Sequence, residues 1–143
     1  MNLEFKTPSI KEYEDILDLW DECDLPYKPE GRDTREKIAN EIRKQPEYWI
    51  GAYDDQTLVG IIVGTDDGRK GWINRLAVDE KYRGKGIGTK LVKLLEQEFE
   101  DNGFKIWAAL IEPDNPEAME FFEKKGFEDL DIKYYSKRES DKV

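Results

Sequence analysis

The sequence contains no histidine and one cysteine, Cys23. A histidine base and a histidine metal site are therefore excluded, and one cysteine cannot assemble a zinc site, so no metal is expected. An intrachain disulfide is impossible as well, which fits a reducing cytoplasm, the expected location. No apolar run approaches the roughly 18 residues needed to cross a bilayer. The opening Met1-Asn2-Leu3-Glu4-Phe5-Lys6 lacks the basic and apolar regions of a signal peptide. Basic residues are in the minority, with 23 Lys and Arg against 33 Asp and Glu, giving a net charge of −10 at pH 7. That balance disfavours nucleic acid and anionic membranes as partners and suits a cationic one. Repeats, linkers and low-complexity tracts are also missing. At 143 residues, one domain spanning 1–143 is expected, with enough core to fold alone.

What is present is a regular alternation of strand and helix patterns. Leu3 to Thr7 reads as a first strand. Ser9 and Glu12 form a capping box, and Tyr13, Ile16, Leu17 and Trp20 then share one helical face up to a stop before Pro26. Asp33-Thr34-Arg35-Glu36 is a second capping-box pattern, with Ile38, Ala39 and Ile42 as its apolar stripe and an end before Pro46. Tyr48 to Tyr53 and Thr57 to Thr65 predict a hairpin turning at Asp54-Asp55-Gln56. A turn at 66–70 leads into a strand from Gly71 to Val78. Leu91, Leu94, Leu95 and Phe99 recur at helical spacing until Asn102-Gly103, where glycine suits a left-handed cap. Lys105 to Ile111 is the next strand, and the intervening helix predicts that it lies parallel to the previous one. Asn115 and Pro116 start a helix that ends at Gly126. Phe127 to Leu130 and Ile132 to Lys137 predict two final strands, and 138–143 a frayed tail. The expected fold is α/β, with a mixed, mostly antiparallel sheet of 6–7 strands and about four helices.

The segment with most chemical content runs from Leu76 to Thr89. An apolar strand ends, a polar loop follows, and Gly84, Gly86 and Gly88 open an amphipathic helix. Amides at a helix start have no partner within the helix, the helix dipole adds positive potential, and glycine admits a ligand close to the backbone. Phosphate or pyrophosphate is the natural guest. A Walker A loop would need Lys-Ser/Thr after its last glycine, and here Thr89-Lys90 reverses that order. A dinucleotide fingerprint would need a third glycine where Thr89 stands. The pattern that fits is Arg-x-x-Gly-x-Gly, read as Arg83, Gly86 and Gly88. Thirty residues on stands Asn115-Pro116-Glu117-Ala118, followed by Phe121-Phe122-Glu123-Lys124-Lys125-Gly126-Phe127-Glu128.

The first block resembles the acetyl-coenzyme A signature of the GNAT N-acetyltransferase superfamily. The second is similar to that family's Asn-x-x-Ala and Glu-Lys-x-Gly-Phe-Glu segment. Together they span about half the chain. The resemblance implies the GNAT fold, with the fourth and fifth strands parallel and splayed apart. It implies acetyl transfer from acetyl-CoA to a primary amine, directly, in a ternary complex. Leu76, Ala77 and Val78 would offer main chain to the pantetheine arm. Arg83, Gly84, Lys85, Gly86, Ile87, Gly88 and Thr89 would hold the pyrophosphate. Asn115 would approach the pantetheine or thioester end. Dimerisation is common in the family, so a homodimer stays open.

Two positions depart from the family pattern. Asn74 stands where many relatives carry a glutamate base on the fourth strand. Phe122, which would line the cofactor site, stands where many carry a tyrosine acid. Glu112 or Asp114 could accept the proton through water. Tyr134 or Tyr135 could protonate the departing thiolate, or the thiolate could leave unassisted. These departures keep an alternative open, an acyl-CoA sensor or interaction module without turnover. Asp15, Asp18, Asp21, Glu22, Asp24, Glu30 and Asp33 gather around the first helix and its exit. They read either as a solvated face or as an attractor for a cationic acceptor, a small amine or a peptide amine.

Overall fold

Helix stripes and strand faces meet in three layers. The computed structural model describes residues 1–143. In chain order the elements are β1 (Leu3–Lys6), α1 (Tyr13–Glu22), α2 (Arg35–Lys44), β2 (Trp49–Asp54), β3 (Thr57–Asp66), β4 (Gly71–Val78), α3 (Ile87–Asp101), β5 (Trp107–Ala109) and α4 (Pro116–Glu123). Strand order in the sheet is β1-β2-β3-β4-β5. The first three junctions are antiparallel and β4–β5 is parallel, as the intervening helix requires. No helix is long and apolar enough to cross a membrane.

Both sheet faces are covered, which is why β2 and β3 read as nearly continuous apolar runs. On one face, Ile16 and Trp20 of α1 and Ile38 of α2 pack on Trp49, Ile61, Val63 and Ala77. On the other, Leu91, Leu95 and Phe99 of α3 and Phe122 of α4 pack on Ile50, Ile62 and Ile73. Each of the Ile, Leu, Val and Phe side chains among them stabilises the fold by about 1.5–3 kcal/mol relative to exposure. A glycine sets how closely α3 can approach: a Cβ on Gly71 would stand 2.6 Å from Phe99 Cδ1.

Local chemistry differs from the sequence expectation at four places. Asp33 does not cap α2. Thr34 does, its Oγ1 accepting from Lys37 N at 3.2 Å, because the Asp33 carboxylate binds a guanidinium instead. The fifth strand is only three residues long. The last two expected strands do not form, so the sheet has five strands rather than six or seven. Asp131, at φ 51°, breaks the run between them. No main-chain amide or carbonyl of residues 128–139 finds a main-chain partner. Strand propensity expresses itself only where a neighbour completes the ladder. The tail, finally, is docked rather than frayed: Lys28 Nζ donates to the Asp141 carbonyl at 2.8 Å, and Lys142 Nζ lies 3.4 Å from Glu30.

Candidate active site

The parallel pair β4–β5 is joined only from Gly71 to Ile73, opposite Trp107 to Ala109. At that point β4 bulges. Val63 opposes Arg75 and Gly64 opposes Ile73, which leaves Asn74 as the extra residue. From Asn74 to Val78 the edge of β4 that faced β5 has no strand beside it. The result is a crevice at the C-terminal ends of two parallel strands, with the N-termini of α3 and α4 at the same end. Ligands of α/β sheets settle at such ends.

The turn from β4 to α3 is built to expose amides. Asp79 Oδ1 accepts from Lys81 N at 3.0 Å and starts one 3-10 turn, Glu80–Tyr82. The Tyr82 hydroxyl donates to Asp54 Oδ2 at 2.7 Å, which ties the turn to the β2–β3 hairpin. That hydrogen bond raises the Tyr82 phenol above its ordinary value. Asp54 is held low, first by the Asn2 amide and then by Tyr82. Gly84 and Gly86 take φ values of 76° and 85°, which side chains other than glycine rarely adopt. Gly86 is the N-cap of α3 and has no side chain to close it. The first bond of the helix runs from Lys90 N to Gly86 O at 3.0 Å. The amides of Ile87, Gly88 and Thr89 therefore have no partner within the helix. No acidic residue stands in the first turn, and a Cβ on Gly84 or Gly86 would meet nothing within 4 Å. Open space, uncapped amides and a helix dipole together suit an anion.

The side chains of this turn divide their work. Arg83 turns back on the protein: its Nε donates to the Val78 carbonyl at 3.0 Å, and Nη2 lies 3.4 Å from Cys23 Sγ. It braces the turn against the end of β4. Val78 O is thereby occupied. Ile87 is buried, so only its main chain is offered to the site. Gly88 lies beneath Phe121, whose Cζ would stand 3.3 Å from a Cβ there, so this glycine also admits α4. Lys85 is exposed. Leu76 lies on the stretch of β4 beyond β5 with its main chain turned away from β3, whereas the Ala77 main chain faces Ile61.

The α4 side is simpler. Asn115 caps α4, its Oδ1 accepting from Ala118 N at 3.1 Å. Its main-chain amide donates to Glu112 O at 3.0 Å, and Glu112, three residues beyond β5, is exposed. Phe122 lies in the core rather than on the surface of α4. It is 6% exposed and packs edge-on against Phe121 and Phe127, because α4 turns its apolar face to the core. Tyr134 and Tyr135 are not brought into the sheet. They stand 72% and 86% exposed in the unpaired segment. Asn74 donates its side-chain amide to Thr65 Oγ1 at 2.9 Å.

One charged pair escaped the sequence reading. Arg75 follows the bulge and faces α1 and α2. Its Nη1 and Nη2 donate to the two oxygens of Asp33 at 2.8 and 2.9 Å, and its guanidinium lies 4.1 Å from the centroid of Trp20. Asp33 is 4% exposed, the one buried charged or polar side chain of the protein. Burial opposes its ionisation. The Arg75 and Lys28 hydrogen bonds and the charges of Arg75 and Arg32 outweigh that, and they hold its carboxyl below the ordinary value. On α2, Glu41 is held above its ordinary value by partial burial and then by the negative charge of Asp33. Strand alternation through Ala77 could have placed Arg75 on the α1 face, but nothing local in the sequence links it to a residue 42 positions earlier.

Comparison with known proteins converges on one family. Residues 13–127 match the model of the acetyltransferase (GNAT) family. An acetyltransferase of Yersinia pestis (strain Pestoides F) is 29% identical over 127 residues, 89% of each chain. Among solved structures, the PaiA N-acetyltransferase from Thermoplasma acidophilum, in complex with coenzyme A, superposes with a TM-score of 0.81 at 23% identity, covering 93% of this chain and 94% of that one. Ard1 from Thermoplasma volcanium superposes with a TM-score of 0.77 at 24% identity, covering 89% and 83%.

Proposed function

This chain belongs to the acetyltransferase (GNAT) family, and from that premise we propose that it transfers the acetyl group of acetyl-CoA directly to a primary amine in a ternary complex. The observation that carries the reading is the β4–α3 turn. Its uncapped amides open onto the crevice where β4 and β5 separate. The amides of Ile87, Gly88 and Thr89 would bind pyrophosphate. The pantetheine arm would run along the free edge of β4, where the main chain of Leu76 and the amide of Val78 face away from β3. Asn115 would meet its far end.

The thioester is already activated, so holding both substrates in one crevice supplies much of the rate. The main-chain amide of Leu76 or Val78 would polarise the thioester oxygen. An amine with a pKa of about 10.4 must lose a proton before attack. Glu112, in the exposed turn between β5 and α4, would accept it through water. A thiolate is a good leaving group and needs no acid. Tyr134 or Tyr135 would supply one only if the segment that carries them closes over the crevice. The acceptor would be cationic, given the net charge of −10 and the acidic residues around α1.

A second reading is favoured by Asn74 and Phe122: a domain that binds acyl-CoA without turning it over. Asn74 cannot serve as a base, and Phe122 has no hydroxyl. Release of free CoA thiol from acetyl-CoA across a panel of amines, with product mass, decides between the two. Amine-dependent release supports transfer. CoA binding without release across the panel supports the sensor.

A further inference from the structure

We propose that the pocket walled by β1, the start of α1 and the β2–β3 hairpin binds a primary alkylammonium cation, at a site separate from the crevice. The inference goes beyond the acetyl-transfer reading and does not depend on it.

Strand alternation builds the pocket. Leu3 and Phe5 pack on the α3 side of the sheet, so Glu4 and Lys6 turn to the α1 face. Lys6 stands opposite Gly51 of β2, and Tyr53 lays its ring over that glycine. A Cβ on Gly51 would stand 3.2 Å from the Tyr53 hydroxyl. Glu12, just before α1, and Asp55, in the hairpin turn, complete an open pocket of about 510 Å³. β1 is three strands from β4, about 14 Å at the usual spacing, so this pocket is no part of the crevice.

Two observations point to a ligand. The first is charge. Three carboxylates, Glu4, Glu12 and Asp55, face the pocket with one cation, Lys6. Glu4 lies 3.6 Å from Lys6 Nζ, whereas Glu12 and Asp55 have no ion pair. Each commits one oxygen to a neutral donor. Glu12 Oε1 accepts from the Ser9 amide at 3.2 Å, and Asp55 Oδ1 accepts from Asn2 Nδ2 at 3.1 Å. Their second oxygens are left for a guest. The second observation is the Tyr53 hydroxyl. Tyr53 is 2% exposed, and its oxygen has no hydrogen-bond partner. A buried polar group in that state is costly and rare. Burial, and then the Glu12 carboxylate beside it, push the phenol above its ordinary value. It therefore stays neutral, able to accept as well as donate. Asp15 and Glu4 add negative potential at the same atom.

The chemistry of the guest follows from these groups. No three carboxylates of the protein are gathered so as to hold a metal ion. An ammonium head carries three donors and no acceptor, which matches Glu12, Asp55 and the phenol oxygen. The ring suits the same head. Lys6 Nζ already lies 4.8 Å from the Tyr53 centroid, where the face of the ring attracts a cation. Lys6 and Glu4 are both largely exposed, so their pair is weakly held and rearranges readily as a second cation enters.

The test is an NMR titration of the full chain without CoA, at low salt, with n-butylammonium and with n-butanol as the neutral control. Butylammonium should shift the amides of 2–6, 12–15 and 51–56 saturably, and butanol should not. Glu12→Gln with Asp55→Asn removes two charges and keeps acceptors for Ser9 and Asn2; Gln suits the capping box, and Asn tolerates the φ of 58° at Asp55. Its Kd for butylammonium should rise by about tenfold or more. Tyr53→Phe removes only the hydroxyl. It should weaken binding by about threefold or more while Tm holds or rises, because the lost group had no partner. An unchanged Kd in both variants would overturn the proposal, as would equal binding of butanol or the absence of saturable shifts. A lower Tm in Tyr53→Phe would also overturn it, by giving the hydroxyl a partner within the protein. Shifts confined to 74–78 and 107–115 would place the amine in the crevice instead, which refutes this site and leaves the acetyl-transfer reading standing.

Discussion

Gly86→Glu is the substitution that most directly tests the pyrophosphate turn, and the structure allows its two effects to be separated. The first is strain. Gly86 has φ 85°, and a residue with a Cβ pays about 1–2 kcal/mol there. At about 3 °C per kcal/mol for a chain of this size, Tm should fall by about 3–6 °C without ligand. The glutamate charge at the N-terminus of α3 returns about 0.3–1 kcal/mol of that through the helix dipole. The second effect is on the ligand. At an effective dielectric of about 60, suited to an exposed turn, charges about 5 Å apart interact by about 1 kcal/mol. Two phosphate charges then lose about 2 kcal/mol, roughly 30-fold in Kd. At a CoA concentration of about 100 times the wild-type Kd, binding stabilises the wild type by about 2.7 kcal/mol and raises Tm by about 8 °C. In Gly86→Glu the same concentration should raise it by about 3 °C or less. Gly68→Ala is the control: it has the same kind of φ, 82°, and equally open space, but lies in the turn between β3 and β4. It should lose similar stability and keep the full CoA shift. The assay is thermal unfolding with and without CoA. A wild-type shift in Gly86→Glu would refute the assignment of this turn, and loss of the shift in Gly68→Ala would show that strain, not charge, is being read.

Three further outcomes are expected. Phe122→Tyr would place a hydroxyl among Phe121, Phe127 and the core, so urea unfolding should show a loss of about 1–3 kcal/mol; unchanged stability would mean that the ring edge reaches the crevice after all. Asp33→Asn should cost about 3 kcal/mol at neutral pH by leaving Arg75 unpaired in the interior. Because the folded Asp33 carboxyl lies below its unfolded value of about 3.9, its contribution is complete above that pH and is lost as pH falls through the folded value. The stability gap between wild type and variant should therefore be constant at higher pH and close below about pH 4; a gap that closes between pH 5 and 7 would contradict the pairing. Finally, kcat/KM for matched amines of increasing positive charge should rise at low salt and converge as the Debye length shrinks from about 10 Å at 0.1 M to about 3 Å at 1 M. Preference for neutral or anionic acceptors would reject electrostatic selection.

Short-range pattern carried most of the framework. Ser9, Asn115 and the glycines at 84, 86, 103 and 126 announced caps and turns because those devices act within a few residues. The β4–α3 turn was legible for the same reason: strand end, glycines and helix start are contiguous between Leu76 and Thr89, so their chemistry does not wait on tertiary contacts. The Phe122 ring was harder to read, since which face of a short helix is buried depends on where α4 docks. The last two strands looked complete in isolation, yet residues 128–139 find no main-chain partner, and a strand is defined by its neighbour. The contacts of Arg83 with Val78 and Cys23 have no local signal in the sequence. Asp33 resembled a helix cap until Arg75, 42 residues on, offered its carboxylate two hydrogen bonds. What the sequence determined by itself was therefore what local backbone chemistry sets, namely the helices, the first four strands and the glycine-rich turn between β4 and α3. What only the tertiary structure decided was the partner of each buried charge, ring and strand edge, because those choices are made between residues that chain proximity does not bring together.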